Sequence, residues 1–308
     1  MRTPIITLCL IVFLAETFAQ VRGFEFTRTG LKGHKSIVAT TTIFNENDSA
    51  VSKSIYHLDP EGDIVKSEHY EGEELISTSE YDHDADGLLR YEKTHNQVFH
   101  YDEDTQKEVA EIRDDVFFEK SYEYNGPSLV RIAWKNAYKG NESANDLVVF
   151  EYDLSGRLTR EISITGDAAF IAELETKDYT IDSLTDKQKV SLSITIHHYS
   201  NDSIVTIRMD ENNEVLGYSR ARLDSKKKPL EILDTDPVGN HVRAVSRHYD
   251  HKGNLTHEVT DIIDVEKIDK DLVAGDDYRL FYNKNSLPVL AITRENGKII
   301  SRQVVHYQ

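Results

Sequence analysis

The chain has 308 residues, 36 basic and 54 acidic side chains, a net charge of −18 and one cysteine. That balance repels phosphate backbones and anionic lipid surfaces, and no basic run interleaved with aromatics offsets it, so nucleic acid is not an expected partner. A lone cysteine supplies neither an internal disulfide nor a thiolate metal site.

Met1–Ala19 has the order of a secretory signal peptide: Arg2, an apolar run from Ile5 to Ala15 broken by Thr7, then small residues Thr17 and Ala19 before Gln20. The run is shorter than the roughly 20 residues that a membrane helix needs. Cys9 lies inside it behind Leu8, which is not the small residue of a lipoprotein cleavage site. Residues 20–308 then form a cysteine-free exported chain, large enough to be held by its core alone. Export without disulfides fits a protein of a Gram-negative envelope, in the periplasm, on the outer surface or outside the cell.

From Leu58 onward an aromatic or large apolar residue is repeatedly followed by Asp or Asn, a polar turn and an aliphatic residue. Copies start at Leu58, Tyr81, Tyr101, Tyr124, Tyr152, Met209, Leu223, Tyr249 and Tyr282, and recurrence at a loose period marks a repeat architecture. The flanks alternate with period two: Val148, Phe150 and Tyr152 share one face, while Val149 and Glu151 take the other. Asp after the tyrosine bonds backbone amides further along, and Gly supplies the positive φ that closes the reversal. Between Tyr152 and Met209 lies the best helix candidate, Ala168–Glu175 capped by Asp167, in an insertion over 166–190. The last hairpin, Leu290 to Val305, turns at Asn296-Gly297, a type I′ signal. The expected fold is all-β: an antiparallel meander of repeated β-hairpins over residues 20–308. It forms an elongated curved sheet or partly closed barrel, with a short helical insertion.

Two copies, Tyr152-Asp153-Leu154-Ser155-Gly156-Arg157-Leu158 and Tyr249-Asp250-His251-Lys252-Gly253-Asn254-Leu255, match the Tyr-Asp-x-x-Gly-x-Leu core of the YD repeats in RHS-type bacterial surface and toxin proteins. Leu58–Ile64 matches with Leu for Tyr; Met209–Val215 has Asn for Gly; the copies at Tyr101 and Leu223 lack the Gly; Tyr124-Asn125-Gly126 is shortened and Tyr282-Asn283 is degenerate. The resemblance implies a hairpin-built scaffold, in that family sometimes a shell around a toxin or a carbohydrate-contacting surface. This chain is short for a closed shell.

The sharpest local chemistry is Asp82-His83-Asp84-Ala85-Asp86-Gly87. Alternate carboxylates before Gly match the first half of a calcium loop, with Asp82, Asp84 and Asp86 as ligands. Lys93 occupies the position where an EF-hand closes with Glu, and the flanks are strand-like, so a hairpin-borne site is the form expected. The competing reading is an elongated YD turn, two residues longer than its siblings, with solvated acids. His197 and His198 are adjacent in a strand and face opposite ways; His248, His251 and His257 surround one turn, where a cross-strand pair has transition-metal geometry. Trp134 is the candidate to stack on a sugar ring, with half-buried packing as its ordinary role.

Sequons at Asn47, Asn141, Asn201 and Asn254 matter only for export from a eukaryote. No nucleophile elbow or phosphate-binding glycine loop is present. The expected function is a non-enzymatic exported binding or scaffold protein contacting glycan or an envelope or surface protein. The alternatives are a calcium-stabilised adhesive module and a carbohydrate-active enzyme on a β scaffold.

Overall fold

The computed structural model describes residues 18–21, 24–44, 49–102, 107–137, 145–167, 170–171, 174, 191–262 and 277–308. The expected signal peptide lies outside them, except for its last two residues. A small hairpin, β1 (Phe18–Val21) with β2 (Phe24–Thr27), and one helical turn, α1 (Arg28–Leu31), come first. The wall follows with β3 (Ser36–Phe44), β4 (Ser49–Leu58), β5 (Ile64–Glu71), β6 (Glu74–His83), β7 (Leu89–Asp102), β8 (Lys107–Ile112), β9 (Phe117–Asn125) and β10 (Ser128–Ala137). It continues through β11 (Asn145–Tyr152), β12 (Leu158–Gly166), β13 (Ser191–Tyr199), β14 (Ser203–Met209), β15 (Val215–Leu223) and β16 (Pro229–Thr235). The last strands are β17 (His241–Tyr249), β18 (Leu255–Ile262), β19 (Asp277–Tyr282), β20 (Pro288–Glu295) and β21 (Lys298–Tyr307).

From β3 to β21 neighbouring strands pair antiparallel, except that β8 pairs only with β7 and β9 pairs with β7 in its place; without β8 the sheet shuts on itself as an 18-strand barrel. Closure is complete where a curved sheet or partly closed barrel was expected. The seam joins β21 to β3, from Tyr307 opposite Ile37 to Ser301 opposite Ile43. Beyond the ladder, the Gln308 amide donates to the Ser36 carbonyl at 2.9 Å and the Lys35 amide to the Gln308 carbonyl at 2.5 Å. The lower part of β7 pairs with β9 in the wall, while its upper part pairs with β8 as a hairpin extending beyond it. Closure leaves the wall without the unpaired edges that invite aggregation.

The turns explain why this sequence makes hairpins. Asp84, Asp153, Asp210, Asp224, Asp236 and Asn283 each accept, through Oδ1, the backbone amides two and four residues on. Three residues after each of them the chain takes positive φ, at Gly87, Gly156, Asn213, Lys227, Gly239 and Ser286. A type I turn with a left-handed residue forming a bulge is the three-residue hairpin loop, and register shifts beside these turns agree. Asn296 and Gly297 both have positive φ, as a type I′ turn requires.

Two details correct the sequence reading. The turn at Asp84 begins from His83, not Tyr81, and has the same length as its siblings. An unanticipated copy stands at Asp236, after Thr235 rather than an aromatic. The Tyr101 turn and most of the helix expected over 168–175 lie outside the described residues. At that segment's edge, the Phe170 amide donates to Asp167 Oδ1 at 2.8 Å, and Ile171 and Leu174 are buried against Leu147, Ile162, Ile164, Leu192 and Ile194.

Successive strands run up and down, so the Tyr-Asp turns gather at one end of the barrel and the longest connections, β12–β13 and β18–β19, at the other. At the tight-turn end the tyrosines lace neighbouring hairpins. Tyr152, Tyr249, Tyr282 and Tyr307 donate their hydroxyls to the carbonyls of Leu129, Pro229, Leu255 and Pro288, at 2.7, 2.9, 2.8 and 2.6 Å. Leu31 of α1 packs there with Ile37, Leu280, Leu287 and Val305, and Tyr56, Tyr282 and Tyr307 surround them.

Candidate functional site

Alternation along the strands separates an inner from an outer wall. On β15 Gly217, Ala221 and Leu223 are buried while Leu216, Arg220 and Arg222 are exposed; on β21 Gln303 and Val305 are buried while Arg302 and His306 are exposed. The outer wall carries ion pairs, Lys66–Glu68 within β5 at 2.8 Å and, across strands, Arg131–Glu123 at 3.2 Å, Arg160–Glu151 at 3.6 Å and Arg222–Glu231 at 2.9 Å. A barrel in lipid needs an outward apolar band about 25 Å tall, which such charges interrupt. Among the described residues no helix is long and apolar enough to cross a membrane.

Between the tyrosines of one end and the mouth of the other, the inner wall carries paired hydroxyls and imidazoles. Ser79 and Thr94 are 2.8 Å apart, Ser54 lies 3.1 Å from His69, and His197 lies 3.0 Å from Thr206. Embedded charges are paired across strands, Arg243–Asp234 and Arg247–Glu258 at 2.7 Å each, because an unpaired charge so placed is costly. Glu161 departs from this pattern. It faces Phe150 and Thr195 on the adjacent strands, and burial pushes its carboxyl up to about 7.

At the long-loop end the inner wall opens into a recess of about 1180 Å³. Thr41, Tyr278, Thr293, Ser301 and Gln303 line it, and Ile43, Phe44, Glu295, Asn296, Lys298 and Ile299 stand at its lip. Ile43, Phe44 and Ile299 are 42%, 41% and 44% exposed, so the lip sets three apolar side chains among Glu295, Asn296 and Lys298 around a hydroxyl- and amide-lined hollow. No motif marked this recess in the sequence. Its walls come from β3, β19, β20 and β21, which closure of the seam brings together.

The residues singled out from the sequence fall elsewhere. Trp134 is on the inner wall of β10, half-buried with Ile132, Tyr122 and Val148, and outside the recess. The Lys120 ammonium lies 4.8 Å from its ring centroid, and the same ammonium pairs with Glu92 at 3.1 Å. Burial beside the Glu92 carboxylate raises the Tyr122 hydroxyl far above its ordinary range, and that hydroxyl donates to Glu92 at 2.9 Å. Trp134 Nε1 is buried without a hydrogen-bond partner.

Asp82, Asp84 and Asp86 do not converge. Asp82 is on β6 opposite Tyr91, whereas Asp84 spends Oδ1 on two turn amides and Oδ2 on Arg90 at 2.5 Å. Those contacts, led by the Leu88 amide, hold the Asp84 carboxyl below its usual range. Among the described residues no group of three or more His, Cys, Asp or Glu is placed to hold a metal ion. His197 faces inward and His198 is exposed, as their adjacency requires. His248 and His257 stack with centroids 5.5 Å apart, and His257 Nε2 is 3.0 Å from Asp277 Oδ1.

No protein-family model matches the sequence, and neither does any curated protein. Among solved structures, a porin-like protein from Bacteroides uniformis is 10% identical over 90% of this chain and 97% of its own, with a TM-score of 0.37. A porin-like protein from Bacteroides vulgatus is 12% identical over 87% and 97%, with a TM-score of 0.27. TcdB2-TccC3 without its hypervariable C-terminal region is 12% identical over 90% of this chain and 15% of that one, with a TM-score of 0.24. Likeness at this level reaches no further than a general β-rich architecture.

Proposed function

We propose that this chain is an exported, non-enzymatic barrel that binds a glycan in the recess at its long-loop end. The observation that carries the reading is the recess itself: a hollow of about 1180 Å³ with hydroxyl and amide side chains inside and both apolar and polar side chains at its lip. Thr41, Thr293, Ser301 and Gln303 offer the mixed donors and acceptors that sugar hydroxyls need, and Phe44 and Ile43 offer apolar surface for a ring's C–H face. The signal-like start of the sequence supports export. The charged outer wall suits a barrel surrounded by water, in the periplasm or on the outer surface.

A glycan array followed by calorimetry on the strongest hits tests this. Ser301→Trp, which fills the recess, is expected to abolish binding, and Trp134→Ala to leave it unchanged. Binding lost in Trp134→Ala but kept in Ser301→Trp would move the site to β10; no glycan bound at all would remove the reading. A surface-protein partner is the second reading, favoured by the exposure of Ile43, Phe44 and Ile299 together at one lip.

A further inference from the structure

The opposite end of the barrel has a charge pattern that the recess does not use. Going round the tight-turn end, the β15–β16, β17–β18 and β19–β20 turns and the seam before β3 carry exposed Lys226, Lys252, Lys284 and Lys35 in succession. The acids of those turns cap the turns themselves: Asp224 Oδ1 accepts the amides of Lys226 and Lys228, and Asp250 is bonded to Asn254. The next two turns in the ring, β4–β5 and β6–β7, have the opposite sign, with exposed Glu61 and Asp86, and Asp82 is exposed near the end of β6. A chain of net charge −18 has therefore gathered lysines on one arc of a single rim and set a carboxylate arc beside it.

The rim is also braced. The Lys228 ammonium donates to the Gly253 carbonyl and the Lys227 ammonium to the Asn201 carbonyl, while Lys252 reaches Ser286 Oγ at 3.3 Å. Leu154, on the β11–β12 turn of this same end, is wholly exposed.

We propose that the tight-turn end is a self-complementary face on which a second copy of this chain docks end to end. A two-fold axis across the rim, between the seam and the β4–β5 turn, sets Lys35 against the partner's Glu61 and Lys284 against the partner's Asp86. Complementary fields steer such an encounter and fix its rotation. A separate polyanion fits less well, because the carboxylate arc and the net charge of the chain both repel it. Docking at this end leaves both recesses open, facing away from each other.

Sedimentation velocity on the full chain tests the proposal. A dimer is expected at about 50 mM salt, with its dissociation constant rising at least tenfold by about 0.5 M, since pairs at an exposed rim are screened. Lys35→Glu with Lys284→Glu, and separately Glu61→Lys with Asp86→Lys, are each expected to give monomers with unchanged circular dichroism. An equal mixture of the two variants is expected to restore the dimer. If a variant loses its fold, the salt titration of the unaltered chain decides. A monomer at low salt, a dimer indifferent to salt, a dimer that survives either folded reversal, or folded variants that fail to associate when mixed would each overturn the proposal.

Discussion

Glu161 shows how a single side chain sets a pH dependence for the whole barrel. Its ordinary value is 4.5, and inside the wall, opposite Phe150 and Thr195, burial alone pushes it up to about 7. At pH below 4.5 the carboxyl is protonated in both the folded and unfolded chain. As pH rises from there towards 7, the unfolded chain releases its proton while the folded barrel keeps it, so stability falls across that window and levels off above it. At about 1.4 kcal/mol per unit, the loss is at most about 3 kcal/mol. Glu161→Gln, scanned by urea unfolding from about pH 5 to about pH 8, is expected to flatten this slope and to gain up to about 3 kcal/mol at the alkaline end. A slope that persists in the variant would assign it to another group. The residue itself was not legible in advance: among 54 acids, nothing in Arg160-Glu161-Ile162 says which carboxylate lacks a counter-charge. That depends on the neighbours that β11 and β13 supply.

The repeated element is a hairpin whose tyrosine bonds the hairpin before it. Tyr249 reaches back to Pro229 on the strand that follows the previous tight turn, and Tyr282 reaches back to Leu255 in the same way. A register slip of one residue would turn each tyrosine to the outer wall and break the link. Tyr249→Phe keeps the ring packing and removes one hydrogen bond, and is expected to cost roughly 1 kcal/mol by thermal or urea unfolding. Tyr249→Phe combined with Tyr152→Phe, which lies far round the ring, is expected to cost about the sum of the single changes. A null effect for both would mean that ring packing alone holds the hairpins together. Much of the element was readable. Asp153-Leu154-Ser155-Gly156 and Asp250-His251-Lys252-Gly253 contain the whole turn chemistry, a carboxylate for the amides and a residue for positive φ. Requiring an aromatic before the Asp displaced the His83-Asp84 turn by two residues and concealed Thr235-Asp236-Pro237-Val238-Gly239. Asp-x-x-Gly spacing alone finds both, because the turn needs a side-chain oxygen for its amides and a residue that takes positive φ, and not the tyrosine.

At the scale of the molecule the decisive contact is the seam. β3 and β21 are separated by almost the whole chain, yet their seven-residue register closes the wall and seats Leu31 beneath the tyrosines. Removing residues 298–308 would leave β20 and β3 with open edges. Such a truncation is expected to bind the dye ANS and to enter aggregates that scatter light, whereas the intact chain does neither. A truncated chain that stayed monomeric with an unchanged melting temperature would show that hairpin packing suffices without closure.

The sequence by itself determined the class of this protein, since period-two alternation and Asp-led turns are local and each hairpin carries its own instructions. It also determined the charge surplus and placed the one cysteine at position 9, within the first nineteen residues. Only the tertiary structure decided that the ribbon closes, which side chains share the inner wall, that Asp84 is a turn cap bonded to Arg90, and that Trp134 lies away from the recess. Those outcomes depend on pairings between strands far apart in the chain. A local pattern of alternating residues fixes two faces for each strand; which face becomes the inside is settled when the last strand meets the first.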